Sequence, residues 1–139
     1  FIPLSKIPGV RLYGLQKGEA ARQVKDLTGK ISVTNLADEL NDFTDTAGVI
    51  ENLDLVISVD TAVLHLAGAM GKPAWAILPF TPDWRWMLSR EDSPWYPTVR
   101  LFRQKRHGDW DNVFRRLAKE LRILADKKKL KVGNLKKAT

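Results

Sequence analysis

The sequence predicts a doubly wound α/β domain, three layers deep, with helices on both faces of a parallel sheet of about five strands. Three observations predict it. Short apolar runs alternate with stretches of helical spacing, the turns between them are short, and Asp54–Val59 (DLVISV) has the continuous aliphatic, β-branched character of a strand buried on both faces. Strands alternating with helices across short turns imply parallel pairing through right-handed crossovers.

The elements follow in order. Val10–Leu15 (VRLYGL) is expected as the first strand, then a polar helix near Glu19–Leu27 that Gly29 ends. Ile31–Val33 is expected as a short second strand, followed by a loop rich in acids and amides. Thr44 or Asp45 can cap a helix running to about Leu53. The third strand is Asp54–Val59. Thr61–Met70 is expected as a buried helix ended by Gly71, then Ala74–Leu78 and Val99–Arg103 as the fourth and fifth strands. Asp109 can cap a last helix whose Trp110, Val113, Phe114, Leu117, Leu121 and Leu124 fall on one face.

At 139 residues and 15.8 kDa the chain has room for one ordinary domain. With 44% hydrophobic and 28% charged residues it is globular rather than disordered or fibrous. Cysteine is absent, which excludes disulfides, thiolate metal sites and cysteine nucleophiles. Two histidines, His65 and His107, cannot build a multi-histidine metal centre. No apolar run approaches the roughly 20 residues that span a bilayer. The chain starts on phenylalanine with nothing like a signal peptide beside it, and reads as a piece of something longer, cytoplasmic in location.

The net charge of +7 is local. Six lysines (127, 128, 129, 131, 136 and 137) against Asp126 give residues 126–139 a charge of +5, leaving +2 on residues 1–125. The expected division is therefore a domain over 1–125 and a solvated lysine-rich tail over 126–139, with no nucleic-acid partner.

Ligands of open parallel sheets bind beyond the carboxyl ends of the strands. After the first strand come Gln16, Lys17 and Gly18, after the third Asp60 and Thr61, and after the fourth a long loop from Pro79. Asp60 stands where strand becomes helix and is expected as its N-cap. The amides of Thr61, Ala62 and Val63 would then lack helical partners and, with the positive end of the helix dipole, offer a phosphate site. His65 lies one turn later, and helical side chains lean toward the N-terminus, so its imidazole can reach the same anion. Gly68 continues that stripe and allows a close neighbour. Each residue also has a purely structural reading: Asp60 as a cap, His65 as a buried hydrogen-bonding group, Lys17 as a solvated turn residue. Neither GxGxxG nor GxxxxGK[ST] occurs, so the dinucleotide fingerprint and the P-loop are both missing.

The segment 79–97 (PFTPDWRWMLSREDSPWYP) exceeds ordinary loop lengths, marking it as functional or as a packed excursion. Its tryptophans could face a sugar or base and Arg85 or Arg90 could fork onto a phosphate, or the aromatics could plug against a neighbouring domain.

Residues 54–73, DLVISVDTAVLHLAGAMGKP, resemble the nucleotide-sugar site of the heptosyltransferase-like family, glycosyltransferase family nine. That family reads Asp-(Thr/Ser)-Gly, His five residues after the Asp, an Ala-rich stretch and Gly-(Lys/Arg)-Pro. Asp60, Thr61, His65 and Gly71-Lys72-Pro73 match, and Ala62 stands where glycine is usual. The continuation DWRWMLSREDSPWYPTVRLFRQ is more similar to a bacterial group that joins tetratricopeptide repeats to such a domain, itself distantly similar to O-linked N-acetylglucosamine transferases. The resemblance covers roughly Val10 to Leu124 and is specific over 54–104.

The resemblance implies the C-terminal, Rossmann-like half of a GT-B glycosyltransferase of hexosyl- or heptosyl-type transfer. It implies that Thr61, Ala62 and neighbouring amides bind the donor diphosphate, Asp60 a sugar hydroxyl, and His65 the phosphate or sugar. It implies that Lys17 neutralises the diphosphate. Gln16, Trp84, Arg85 and Trp86 are candidate sugar or acceptor contacts, and the acid that meets ribose in the family has no clear counterpart beyond Asp38 or Glu39. Neither metal nor cofactor is implied; the donor is a nucleotide-diphosphate sugar. The base for the acceptor hydroxyl would come from the other, N-terminal lobe, so donor binding without turnover is expected of this chain alone. The alternative is a non-catalytic nucleotide-binding or protein-interaction module of a tetratricopeptide-repeat protein.

Overall fold

The computed structural model describes residues 1–22, 24 and 29–135, with the backbone alone for Ala20 and 131–135. The elements are α1 (Ile2–Ser5), β1 (Leu12–Gly14), β2 (Val33–Asn35), α2 (Phe43–Asn52), β3 (Val56–Val59), α3 (Ala62–Ala69), β4 (Ala74–Leu78), β5 (Val99–Arg103) and α4 (Trp110–Leu135). Every strand pairing is parallel, as expected, and the fold is a three-layer, Rossmann-like α/β domain.

The single sheet of about five strands is corrected: the strands form a β1–β2 ladder and a β3–β4–β5 ladder, with no pairing between them among the described residues. The reason lies in the strands themselves. β1 (LYG) and β2 (VTN) are three residues each and half-exposed, whereas the β4 sequence AWAIL is almost wholly buried. Strand β2 also sits two residues beyond its expected start, pairing Leu12 with Val33 and Gly14 with Asn35. A strand this short carries little apolar pattern to set its register. The helix expected over 19–27 begins as a 3-10 turn at Glu19–Ala21, and most of its remainder lies outside the described residues.

The larger ladder organises two cores by the period-2 alternation of strands. Val56, Ala74, Ala76, Leu78, Val99 and Leu101 face Ile50 of α2, Leu64 and Ala67 of α3, and Trp86. On the opposite face Ile77 and Phe102 meet Leu4, Ile7 and the Val113, Leu117 and Leu121 stripe of α4. Burying each such aliphatic side chain contributes about 1.5–3 kcal/mol. Trp110, expected on that stripe, is instead among the exposed residues at the helix start.

Helix ends explain the connections. Asp42, rather than Thr44 or Asp45, caps α2, its carboxylate accepting from the amides of Thr44 at 2.7 Å and Asp45 at 3.0 Å. Asp109 accepts from Asn112 at 3.1 Å as α4 begins. That helix continues past residue 125 to Leu135, and Lys128 pairs with Asp54 just before β3. Among the described residues no helix is long and apolar enough to cross a membrane.

Candidate functional site

Parallel pairing puts the ends of β3, β4 and β5 on one rim, and the site grows from the turn after β3. Thr61, not Asp60, is the N-cap of α3, in extended conformation and without a side-chain capping bond. Its hydroxyl turns back to Ser58 Oγ at 2.8 Å, while its carbonyl accepts from Leu64 at 3.0 Å and His65 at 3.2 Å. The amides of Ala62 and Val63 therefore have no hydrogen-bond partner among the described residues, and Thr61 and Ala62 are exposed. The positive end of the helix dipole opens there onto solvent.

Asp60 is drawn away from the cap by two cations or potential cations. Its Oδ1 lies 3.1 Å from His65 Nε2, and its Oδ2 lies 3.8 Å from Arg85 Nη2. The imidazole reaches toward the helix start as the lean of helical side chains requires, and meets Asp60 there. A carboxylate bridging an imidazole and a guanidinium leaves its remaining lone pairs turned to solvent, a geometry suited to accepting a ligand hydroxyl.

Arg85 comes from the long loop. After β4 the loop is pinned by buried Gln104, whose Oε1 accepts from Phe80 at 3.0 Å and Gly108 at 3.3 Å. Asp83 then starts a 3-10 turn, Trp84–Trp86, its Oδ1 accepting from the Arg85 amide at 3.0 Å and lying 3.4 Å from Arg85 Nε. The chain reverses at Met87, whose φ of 51° is in the left-handed region that side chains seldom occupy. Within the preceding 3-10 turn Trp84 is exposed and Trp86 is buried.

Trp86, expected among the sugar or acceptor contacts, is fully buried and unavailable to a ligand. Its ring instead stacks beneath His65, 5.5 Å between centroids at 28°. Arg103 at the end of β5 donates to the Trp86 carbonyl at 2.8 Å, and burial lowers that guanidinium's pKa from its ordinary value. Trp84 is 73% exposed, stands perpendicular to Trp95, and carries the Arg85 guanidinium 5.8 Å over its ring. Trp95 Nε1 donates to the Arg85 carbonyl at 2.9 Å, tying the two ends of the loop together.

Lys17 sits elsewhere on the rim. Its ammonium donates to the Leu40 carbonyl beside the Asp45 carboxylate, so it is anchored to the start of α2. Asp45 accepts from the Asn41 amide at 2.8 Å and side chain at 3.0 Å, and these bonds, the backbone one foremost, hold its pKa below the usual carboxylate value. Next to it lies a cleft of about 550 Å³ lined by Tyr13, Glu39, Leu40, Asp45, Val49 and Leu53 among others. Gln16 is exposed.

The structure thus gathers Asp60, Thr61, Ala62, His65, Arg85 and Trp84 into one neighbourhood. Sequence reasoning missed Tyr96, whose hydroxyl is 3.0 Å from His65 Nδ1, and Arg103 beneath Trp86. The signal for Tyr96 was Gly68, which leaves room for a ring against α3.

Fold and rim together place the chain among the parallel α/β domains that collect their polar groups where the strands end, around an open helix start. More particularly, the chain belongs to glycosyltransferase family 9, the heptosyltransferase family, whose model matches residues 8–108. It is 33% identical over 127 residues to Protein FlbA of Caulobacter vibrioides, an alignment covering 88% of this chain and 21% of that protein. The chain thus spans about a fifth of the length of this relative. No solved structure matches it.

Proposed function

We propose that this domain holds the nucleoside-diphosphate sugar donor of a glycosyltransferase, acting as the C-terminal lobe of a GT-B arrangement. The observation that carries the reading is the start of α3, where the Ala62 and Val63 amides lack partners among the described residues, beside the Asp60–His65–Arg85 cluster. An anionic diphosphate would take the amides and the positive helix end. Departure of that diphosphate in transfer needs the same donors, which neutralise the growing negative charge on the leaving group. Asp60 would accept from a sugar hydroxyl, with Trp84 and Arg85 as the neighbouring sugar or acceptor contacts. Lys17 would add its charge across the rim by leaving the Leu40 carbonyl, and the cleft beside α2 has the size to receive a nucleoside.

Asp60 and His65 are already engaged with each other and with Arg85 and Tyr96, an arrangement that supports a role in holding the donor rather than in taking the acceptor's proton. The base then belongs to another lobe, and this chain binds donor without turnover.

Calorimetric titration with UDP, ADP and GDP tests the proposal. Binding of one of them is expected; absence of heat with all three overturns it. The surface of Trp84 and Leu88, each 73% exposed, favours a second reading, an interaction module of a tetratricopeptide-repeat protein. Silence toward all three nucleotides would favour that one.

A further inference from the structure

Both ring nitrogens of His65 are occupied, and the second partner comes from a residue that no motif at α3 specifies. Nε2 faces Asp60 Oδ1 at 3.1 Å, and a carboxylate only accepts, so the proton sits on Nε2. In the neutral imidazole Nδ1 then presents its lone pair to the Tyr96 hydroxyl at 3.0 Å, which donates. Tyr96 is itself held on several sides. Its ring lies edge-on to the imidazole at 5.7 Å and packs flat on α3, where a methyl group at Gly68 would come within 2.5 Å of Cγ. Buried Ser93 accepts from the Trp95 and Tyr96 amides at 3.2 and 3.3 Å, and the Tyr96 carbonyl accepts from Val99 at 3.0 Å as β5 begins.

We infer that Tyr96 is the positioning residue of the rim: packed on Gly68, it fixes the tilt of His65, whose tautomer Asp60 sets, and through that ring the direction of the Asp60 carboxylate. Trp86 supports the imidazole from below, 5.5 Å between ring centroids, and restrains its plane. The long loop then bears on the two Asp60 oxygens: Arg85 on one, and Tyr96, with Trp86 beneath the same imidazole, through His65 on the other. The orientation of Asp60 by Tyr96 stands on the geometry alone; its effect on donor affinity rests on the donor-binding proposal.

The experiment is nitrogen-15 NMR of the imidazoles in the ligand-free chain, where exposed His107 serves as internal control. Wild-type His65 is expected as one tautomer, protonated at Nε2 with a hydrogen-bonded Nδ1. Tyr96→Phe keeps the ring on Gly68 but removes the donor, so the Nδ1 resonance should move to that of an unbonded nitrogen while His107 stays put. Gly68→Ala should give the same displacement by pushing the ring away. UDP, ADP and GDP are then titrated, and the affinity of whichever binds should fall in Tyr96→Phe, by at most about fivefold, the equivalent of one neutral hydrogen bond. An Nδ1 resonance unchanged by Tyr96→Phe overturns the inference, as does rapid tautomer exchange in the wild type. If the spectrum responds but the wild type binds no nucleotide, the positioning role stands and the donor proposal falls.

Discussion

Replacing Thr61 with glutamate separates the role of the α3 start in binding from its role in folding. Thr61 is exposed, makes no capping bond, and loses only the 2.8 Å hydroxyl contact to Ser58, a neutral bond of about 1 kcal/mol. A carboxylate at that position faces the unpartnered Ala62 and Val63 amides and the positive helix end, interactions that contribute about 0.3–1 kcal/mol. The two effects nearly cancel, so Thr61→Glu should melt within a few degrees of the wild type. Binding behaves differently. The new carboxylate takes the place proposed for a phosphate, and a ligand charge held about 5 Å away would meet repulsion of about 3 kcal/mol at an effective dielectric near 20. That is roughly a hundredfold in affinity for a single charge, and a diphosphate carries more. The assay pairs thermal denaturation with calorimetric titration of UDP, ADP and GDP. A variant that melts like the wild type and binds its nucleotide undiminished refutes the phosphate assignment.

Three other substitutions probe the rim and its support. Lys17→Glu should abolish nucleotide binding and also lower urea stability by losing the Leu40 bond and facing Asp45, so affinity is measured on the folded variant; retained affinity would remove Lys17 from the site. Asp45, with its folded pKa held below the ordinary carboxylate value by its bonds to Asn41, contributes stability that is present above that ordinary value and is lost as pH falls through the lower, folded one. Asp45→Asn should therefore flatten the acid limb of stability against pH, and an unchanged limb would show that its bonds to Asn41 do not persist in solution. Leu64→Ala, at a fully buried position beneath the α3 start, should cost about 2–5 kcal/mol in chemical denaturation; a cost under 1 kcal/mol would mean that α3 is loosely packed.

The sequence by itself determined the elements whose residues are buried on two sides. Ala74–Leu78 coincides with β4 because a continuous apolar run between two layers has no other stable placement, and Val99–Arg103 coincides with β5 through its buried Val99, Leu101 and Phe102. The order of elements, the parallel pairing and the break before α3 were legible for the same reason, and the rim location of Asp60, Thr61 and His65 followed from them. Tertiary structure alone decided what depends on neighbours distant in the chain. Asp60 could cap its helix or meet a charge, and the approach of His65 and Arg85 settles it against the cap. Trp84 and Trp86 are two residues apart in one aromatic run, yet one is 73% exposed and the other fully buried, because the 3-10 turn sets them on different sides. The partner of Gly68 proved to be Tyr96, 28 residues away, brought there by the return of the loop into β5. Local pattern specifies which groups must leave water; the identity of the groups they meet is set by loop closure, which leaves no periodicity in the chain.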